Sequence, residues 1–177
     1  PVSLKNIQEV SKICKQYNLL LMLDASLITD NLYFNKIREE QCANMSIKEI
    51  ALEMSNCADI IYFSARKLGS AKGGGIVMDD VELFNKMKNL VPIYEGFLTY
   101  GGMSTREMEA VAIGLEEAQD MDMISHGPEF IGELARLLQS YNIPIVTPPG
   151  GLGLHLIARE FVGHIPGEEY QAASLVS

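Results

Sequence analysis

The sequence has few cysteines, few basic residues and no long apolar run, and each shortage excludes a class of protein. Its three cysteines, Cys14, Cys42 and Cys57, are odd in number and far apart, which argues for a reducing compartment and against a disulfide framework. No Cys-x-x-Cys pair or Cys/His cluster predicts a zinc site, and we expect no bound metal of that kind. The 14 basic and 23 acidic residues give a net charge of -9, which disfavours nucleic acids and anionic membranes as partners.

The longest apolar run, around Leu19 to Leu23, is far too short to span a bilayer, and no signal peptide precedes it. We therefore expect a cytoplasmic protein. Of the 177 residues, 47% are hydrophobic and 21% are charged, which is typical of a globular chain with a core. Because the chain starts at Pro1 and stops within a segment that resembles a helix, we expect it to be a piece of a longer protein.

Helix signals recur along the chain. Ser3 is expected to cap a helix that reaches about Tyr17, and capping boxes that start at Ser46 and Ser104 predict two more helices. Asp79 and Asp80 can cap a further helix, which is expected from Val81 to Leu90. Another helix is expected between Pro128 and about Ser140.

Strand signals alternate with the helices. Apolar runs predict buried strands over residues 19–23 and 59–63 and a third strand over 74–78. A later strand is expected over 152–158, after a pair of glycines. This alternation favours an α/β fold with a sheet that contains parallel pairs. The sequence pattern changes near residues 127–149, so we expect a second domain to begin there.

The stretch from Ile60 to Gly75 carries the chemistry. A strand leads into Ser64, Arg66 and Lys67 and then into three glycines, an arrangement that can hold an anion. Lysine amines also bond covalently to carbonyl compounds. Asp24 follows another buried strand, and ligands collect at the carboxyl ends of parallel strands. A carboxylate, an amine and anion donors together match pyridoxal phosphate, whose ring nitrogen needs an acid partner and whose aldehyde needs a lysine.

The same residues also allow simpler and competing interpretations. A lone Asp24 is most often a helix cap, a lone Lys67 is most often solvated, and three glycines can mark a tight bend. Ser64-x-x-Lys67 matches the acylating motif of penicillin-binding enzymes, but the accompanying Ser-Asp-Asn and Lys-Thr-Gly are absent from the sequence. Lys72 stands before its glycines, so the segment is not a P-loop. The three histidines show no ligand or triad spacing and are interpreted as structural.

Several blocks in unbroken order resemble one enzyme family. The sequence is similar to the β-eliminating lyases, the family of tryptophanase and tyrosine phenol-lyase, over nearly the whole chain. The blocks are Asp24-Ala-Ser26 with Asn31-Leu-Tyr-Phe34, Ser64-Ala-Arg-Lys67 with Gly74-Gly75, Tyr94-Glu-Gly96 with Tyr100-Gly-Gly102, Met108-Glu-Ala110 with Ala112-Ile-Gly-Leu115, and Gly150-Gly151.

The resemblance implies a pyridoxal-phosphate-dependent lyase of fold type I, the aspartate aminotransferase fold. It implies β-elimination on tryptophan or tyrosine, giving pyruvate, ammonia and indole or phenol, by a homo-oligomer that is a tetramer in the family. By matching positions, Lys67 would hold the cofactor aldehyde, Asp24 would bind its ring nitrogen, and Ser64 and Arg66 would contact its phosphate. Residues 1–126 would belong to the large cofactor-binding domain, and residues 127–177 to the connecting helix and the beginning of the small domain.

Five positions depart from the family pattern. Arg66 stands where the family commonly has lysine. Leu27 replaces an arginine beside the cofactor ring, Leu68 replaces an aspartate, and Leu152 replaces a histidine. Lys72 replaces an asparagine whose backbone, in the family, helps to hold a monovalent cation such as K+. The family's phosphate loop, ring-stacking aromatic and carboxylate-binding arginine are not in these residues, so we expect the 177 residues alone not to turn over substrate. Two alternatives stay open: another fold-type I activity (aldolase, desulfurase or aminotransferase), and a degenerate homologue that acts only by association.

Overall fold

The computed structural model describes residues 1–67, 72–94 and 103–176. The chain divides into two compact units, Pro1–Ile124 and Ser125–Ser177. In the first unit the elements are α1 (Leu4–Gln16), β1 (Met22–Asp24), α2 (Ile28–Arg38), a 3-10 turn (Glu40–Cys42), α3 (Ile47–Ser55), β2 (Ile60–Ser64), β3 (Gly74–Met78), α4 (Val81–Lys88), α5 (Val91–Tyr94) and α6 (Thr105–Glu117). Helix α7 (Met121–Ser140) continues into the second unit, which also contains α8 (Ala158–Phe161), a 3-10 turn (Gly167–Glu169) and α9 (Gln171–Val176).

The described residues of the first unit form a three-stranded sheet in the order β1-β2-β3. Strands β1 and β2 are parallel, as predicted, with Asp24 opposite Tyr62. Strand β3 runs antiparallel to β2, with Gly74 opposite Ser64. The expectation of parallel pairs therefore fails for β3, because residues 65–73 are fewer than the dozen or so that a parallel crossover needs.

One face of β1 packs against the helices and the other does not. Leu21 and Leu23 pack against an apolar cluster contributed mainly by α1, α2 and α3, whose most buried members include Leu4, Ile50 and Met54. On the opposite face Met22 is 53% exposed. The prediction of a fully buried strand over residues 19–23 was therefore wrong: the strand starts at Met22, ends with Asp24 and is covered on one side only in the described chain.

A buried asparagine ties α1 to α2. The Asn35 side chain is 2% exposed; its Oδ1 accepts the Leu4 N–H at 2.7 Å, and its Nδ2 donates to Val2 O at 2.9 Å and to Asn31 O at 2.8 Å. The first backbone N–H groups of a helix have no partner within the helix. Asn35 supplies that partner from a neighbouring helix, and so fixes where α1 begins.

The predicted helix caps are confirmed. The Ser3 hydroxyl accepts the Asn6 N–H at 3.0 Å, and Asp80 Oδ1 accepts the Leu83 N–H at 2.9 Å. Both capping boxes form with their glutamates, at Ser46 and at Ser104. These contacts lie within a few residues of one another, so the local sequence suffices to specify them.

Two expectations fail in the second part of the chain. Helix α7 begins at Met121 and runs through Pro128, whereas the sequence predicted a start after this proline. Residues 152–158 do not form a strand; a single antiparallel bridge joins Ile145 and Leu156. Prolines lack the N–H group that a ladder needs, and Pro144, Pro148 and Pro149 occupy the partner segment. Each helix in the described part of the chain is too short or too polar to cross a membrane.

Candidate functional site

Asp24 is the last residue of β1 and is exposed, on the same face of the strand as Met22. The next residue, Ala25, donates its N–H to Tyr62 O at 2.8 Å, which continues the parallel pairing past the end of the strand. The Ser26 N–H then turns back and donates to Asp24 Oδ1 at 2.9 Å. The carboxylate is therefore held in a fixed place while its surroundings stay open to solvent.

The neighbouring strand β2 ends two residues beyond Tyr62, at Ser64. Ala65 is completely buried and donates its N–H to Gly73 O at 3.0 Å, while the Lys67 N–H donates to Ser64 O at 3.2 Å. The bond from Lys67 to Ser64 closes a turn that carries Arg66 and Lys67, both exposed, immediately past the strand end.

The predicted residues therefore gather at the carboxyl ends of two adjacent parallel strands. Side chains alternate between the faces of a sheet, so Ser64 lies on the same face as Tyr62, and Tyr62 lies opposite Asp24. The Lys67 ammonium is near enough to the Asp24 carboxylate to lower its pKa. Arg66 lies in the same turn, between Ala65 and Lys67.

Asp24 is biased toward its charged form. The hydroxyl and the backbone N–H of Ser26 hold the pKa of Asp24 below its ordinary value of 3.8, and the Tyr62 hydroxyl and the Lys67 charge lower it further. Hydrogen bonds and an opposite charge favour the ionised carboxylate, and they outweigh the opposing effect of desolvation here. The site thus presents a carboxylate that stays ionised well below neutral pH.

Sequence reasoning assigned no role to Ser26 or Tyr62. The contact with Asp24 raises the pKa of Tyr62 above its ordinary value of 10.0, as expected for a phenol that donates to a carboxylate. Ser26 follows Asp24 by two residues, the spacing of a turn in which an aspartate accepts the N–H of the second residue on. Tyr62 precedes Ser64 by two residues, so strand alternation indicates a common face for both side chains.

Backbone conformation and close packing explain why glycine occupies the positions after the turn. Gly73 has φ of +91°, a conformation that favours glycine. Gly74 and Gly75 belong to strand β3, where an added Cβ would collide with the Phe63 carbonyl oxygen and with the Phe63 ring respectively. The idea of an anion-holding loop of bare backbone is thus wrong for Gly74 and Gly75, which pair with the end of β2 and fix its position.

The positions that depart from the family pattern differ in where they lie. Leu27 precedes α2, three residues after Asp24, and is 41% exposed. Lys72 is exposed and lies near Glu107, whose pKa it helps to lower. Leu152 is in the second unit. Leu68 and the Tyr100-Gly-Gly102 block lie outside the described residues.

The donor set suits pyridoxal phosphate. An ionised carboxylate can hold a protonated ring nitrogen, an exposed amine can bond to an aldehyde, and a hydroxyl with a guanidinium can donate to a phosphate. Asp24, Lys67, Ser64 and Arg66 supply these groups from one edge of the sheet. Chemically, the arrangement can hold a carbonyl compound that also bears a basic nitrogen and an anionic group.

Comparison with known proteins points to the same chemistry. A family model described as beta-eliminating lyase matches residues 1–160. A probable beta-eliminating lyase of Trichomonas vaginalis is 40% identical over 99% of the chain and 38% of its own length. The tyrosine phenol-lyase of Clostridium tetani is 38% identical over 100% of the chain and 39% of its own length, and the tryptophanase of Salinibacter ruber is 38% identical over 99% and 37%.

The fold is also similar to that of a solved structure. A threonine aldolase from Leishmania major superposes with a TM-score of 0.60 at 16% identity, over 83% of this chain and 39% of that one. This match and the family model together confirm the predicted fold class, the α/β fold of fold type I. The chain spans about two fifths of the length of the curated relatives that it matches.

Proposed function

Because the chain belongs to the beta-eliminating lyase family, we propose that the protein containing it is a pyridoxal-phosphate-dependent carbon–carbon lyase. Its substrate is an aromatic amino acid, tryptophan or tyrosine, and its products are pyruvate, ammonia and indole or phenol. The names of the relatives, tyrosine phenol-lyase and tryptophanase, support this substrate class. The protein works in the cytoplasm as a homo-oligomer.

The observation that carries the proposal is that Asp24 and Lys67 lie at the same edge of the sheet. The two residues come from neighbouring parallel strands or the turn that follows, and the Lys67 charge helps to keep Asp24 ionised. An aspartate that only shapes a turn, or a lysine that is only solvated, would function without the other residue nearby. A cofactor with a basic nitrogen and an aldehyde needs both.

Each residue then has a defined task. Asp24 holds a proton on the ring nitrogen of the cofactor through a charge-assisted hydrogen bond. Ser64 Oγ and the Arg66 guanidinium donate to the phosphate. Lys67 Nζ would bond to the cofactor aldehyde, and we assign to the same amine the movement of a proton at the substrate α-carbon. When bound, pyridoxal phosphate supplies an electron sink for the carbanion formed there.

Pyruvate formation tests the proposal. The full-length protein, supplied with pyridoxal phosphate, is expected to release pyruvate from tryptophan or tyrosine, and Lys67→Ala is expected to abolish this release because the essential amine is lost. S-substituted cysteines, which carry better leaving groups, extend the assay to weak activity. Lys72→Ala is the matched control, since Lys72 is also exposed and lies in the same connection, two residues before β3.

The alternatives predict different products. Transamination or aldol cleavage without pyruvate would replace elimination by another fold-type I activity. A protein that neither absorbs visible light with added cofactor nor yields any product would contradict the enzymatic proposal and favour a homologue that acts only by association. We expect the 177 residues alone to be inactive in each of these assays.

A further inference from the structure

The side chain of Met103 lies against the backbone of Gly73. Gly73 has φ of +91°, and a Cβ built on it would stand 2.7 Å from Met103 Cγ and 2.8 Å from Met103 Sδ. Non-bonded carbon atoms pack at about 3.5–4.0 Å, so the methionine fills the space that a side chain at residue 73 would need. Backbone conformation and the contact with Met103 therefore both require glycine at this position.

Gly73 in turn holds the start of the turn that carries Lys67. The Gly73 carbonyl oxygen accepts the Ala65 N–H at 3.0 Å, and Ala65 is completely buried. The Lys67 N–H donates to Ser64 O at 3.2 Å, so the lysine leaves the sheet from a fixed point. Met103, Gly73 and Ala65 thus form a series of direct contacts that ends two residues before the lysine.

The start of helix α6 fixes the position of Met103. Ser104 caps this helix: its N–H donates to Glu107 Oε2 at 2.8 Å, and its hydroxyl accepts the Glu107 N–H at 3.3 Å. Met103 directly precedes the cap and is half-buried. Lys72, the neighbour of Gly73 in sequence, lies near Glu107, whose pKa it helps to lower. The beginning of α6 therefore lies against the residues that lead into β3.

We propose that Met103 is a positioning residue for Lys67: by packing on Gly73 it holds the turn that presents the lysine amine to a carbonyl ligand. The inference rests on the proposed function for the identity of that ligand, pyridoxal phosphate. Met103 acts through Gly73 and Ala65. Its effect on the reaction follows because a reacting group displaced by about 1 Å reacts far more slowly.

The first test needs no cofactor. Amide hydrogen exchange of the full-length protein follows the Ala65 N–H in the wild type, Met103→Ala, Met103→Leu and Met108→Ala. Met103→Ala is expected to speed this exchange about two- to tenfold, because the acceptor on Gly73 is less firmly held. Met103→Leu nearly conserves volume and should keep the wild-type rate. Met108 lies in the same helix and is 56% exposed, so Met108→Ala is the matched control.

The second test measures the dissociation constant of pyridoxal phosphate and the visible absorption that appears when a lysine amine bonds to its aldehyde. Met103→Ala is expected to weaken binding about two- to tenfold and to reduce this absorption. Met103→Leu and Met108→Ala should both match the wild type. Matching circular dichroism spectra establish that each variant folds. A spectral change that leucine rescues marks an effect on the lysine, which a general loss of stability would not produce.

Several outcomes would overturn the inference. Equal exchange at Ala65 in Met103→Ala and Met108→Ala would show that the packing does not hold the turn. Faster exchange with unchanged cofactor binding and absorption would show that the turn does not position the lysine, and a failure of Met103→Leu to rescue would show that packing is not the cause. If the wild type itself binds no cofactor, the proposed function fails and the role of Met103 toward Lys67 fails with it, whereas the exchange rates still decide whether Met103 holds the turn.

Discussion

Replacement of Asn35 by leucine is expected to destabilise the first unit through one backbone group. Leucine branches at the same carbon as asparagine but is larger, and it makes none of the three hydrogen bonds of Asn35. Val2 O keeps a donor, because Asn31 Nδ2 also bonds to it at 3.0 Å. The Leu4 N–H is left without an acceptor, because it lies at the start of α1 and Leu4 is only 2% exposed.

The size of the expected destabilisation follows mainly from the loss of the acceptor for the Leu4 N–H. A buried donor left without an acceptor costs about 1–3 kcal/mol, and each exchanged neutral hydrogen bond adds about 0.5–1.5 kcal/mol. The larger apolar surface of leucine offsets part of this cost. We therefore expect Asn35→Leu to lower the free energy of unfolding by about 2–4 kcal/mol. Asn89→Leu, which removes an exposed bond of 3.2 Å to Asn85 O, is expected to change it by less than about 0.5 kcal/mol.

Urea denaturation followed by circular dichroism is the suitable assay, because the sequence contains no tryptophan for fluorescence. Amide hydrogen exchange at Leu4 gives a local readout, since this N–H should exchange faster in Asn35→Leu than in Asn89→Leu. If the two variants are equally stable, or if Leu4 exchanges at the same rate in both, Asn35 does not anchor α1 and the reasoning is refuted.

Two further predictions concern the sheet and the helix caps. Gly74→Ala should disrupt the pairing of β3 with the end of β2, because the added methyl group would meet the Phe63 carbonyl oxygen. Gly132 lies in a helix with open space around it, so Gly132→Ala should instead stabilise the protein by about 0.5–1 kcal/mol. Equal melting temperatures of the two variants would contradict this prediction. Hydrogen bonds from Ser46 hold the pKa of Glu49 below its ordinary value of 4.5. The difference in unfolding free energy between the wild type and Glu49→Ala should therefore be fully present above pH 4.5 and shrink as the pH falls through the lower folded-state pKa. A difference that does not depend on pH would rule out the ionised capping box.

Local signals in the sequence predicted the features that local physics determines. The caps at Ser3, Ser46, Asp80 and Ser104 follow from side chains that bond to backbone groups a few residues away. The gathering of Asp24 and Lys67 at one edge was also predictable, because the carboxyl ends of two parallel strands meet there. Their assignment to a cofactor stays a prediction.

Features that depend on distant residues could not be predicted. The direction of β3 depends on its pairing with β2, and the missing strand at 152–158 depends on the prolines of its partner segment. The continuation of α7 through Pro128 overrides a strong local stop signal. The placement of Tyr62 on the same face of the sheet as Asp24 requires the exact register of β1 and β2, which a single sequence does not specify.

The identity of the lysine that binds pyridoxal phosphate is the most direct test of the proposed function. The protein is incubated with limiting cofactor, reduced with borohydride to make the bond permanent, digested, and its peptides are identified by mass spectrometry. The account predicts that Lys67 carries the label, that Asp24→Asn reduces the labelling, and that Lys72→Ala leaves it unchanged. Labelling spread evenly over the exposed lysines, or undiminished in Lys67→Ala, would contradict it.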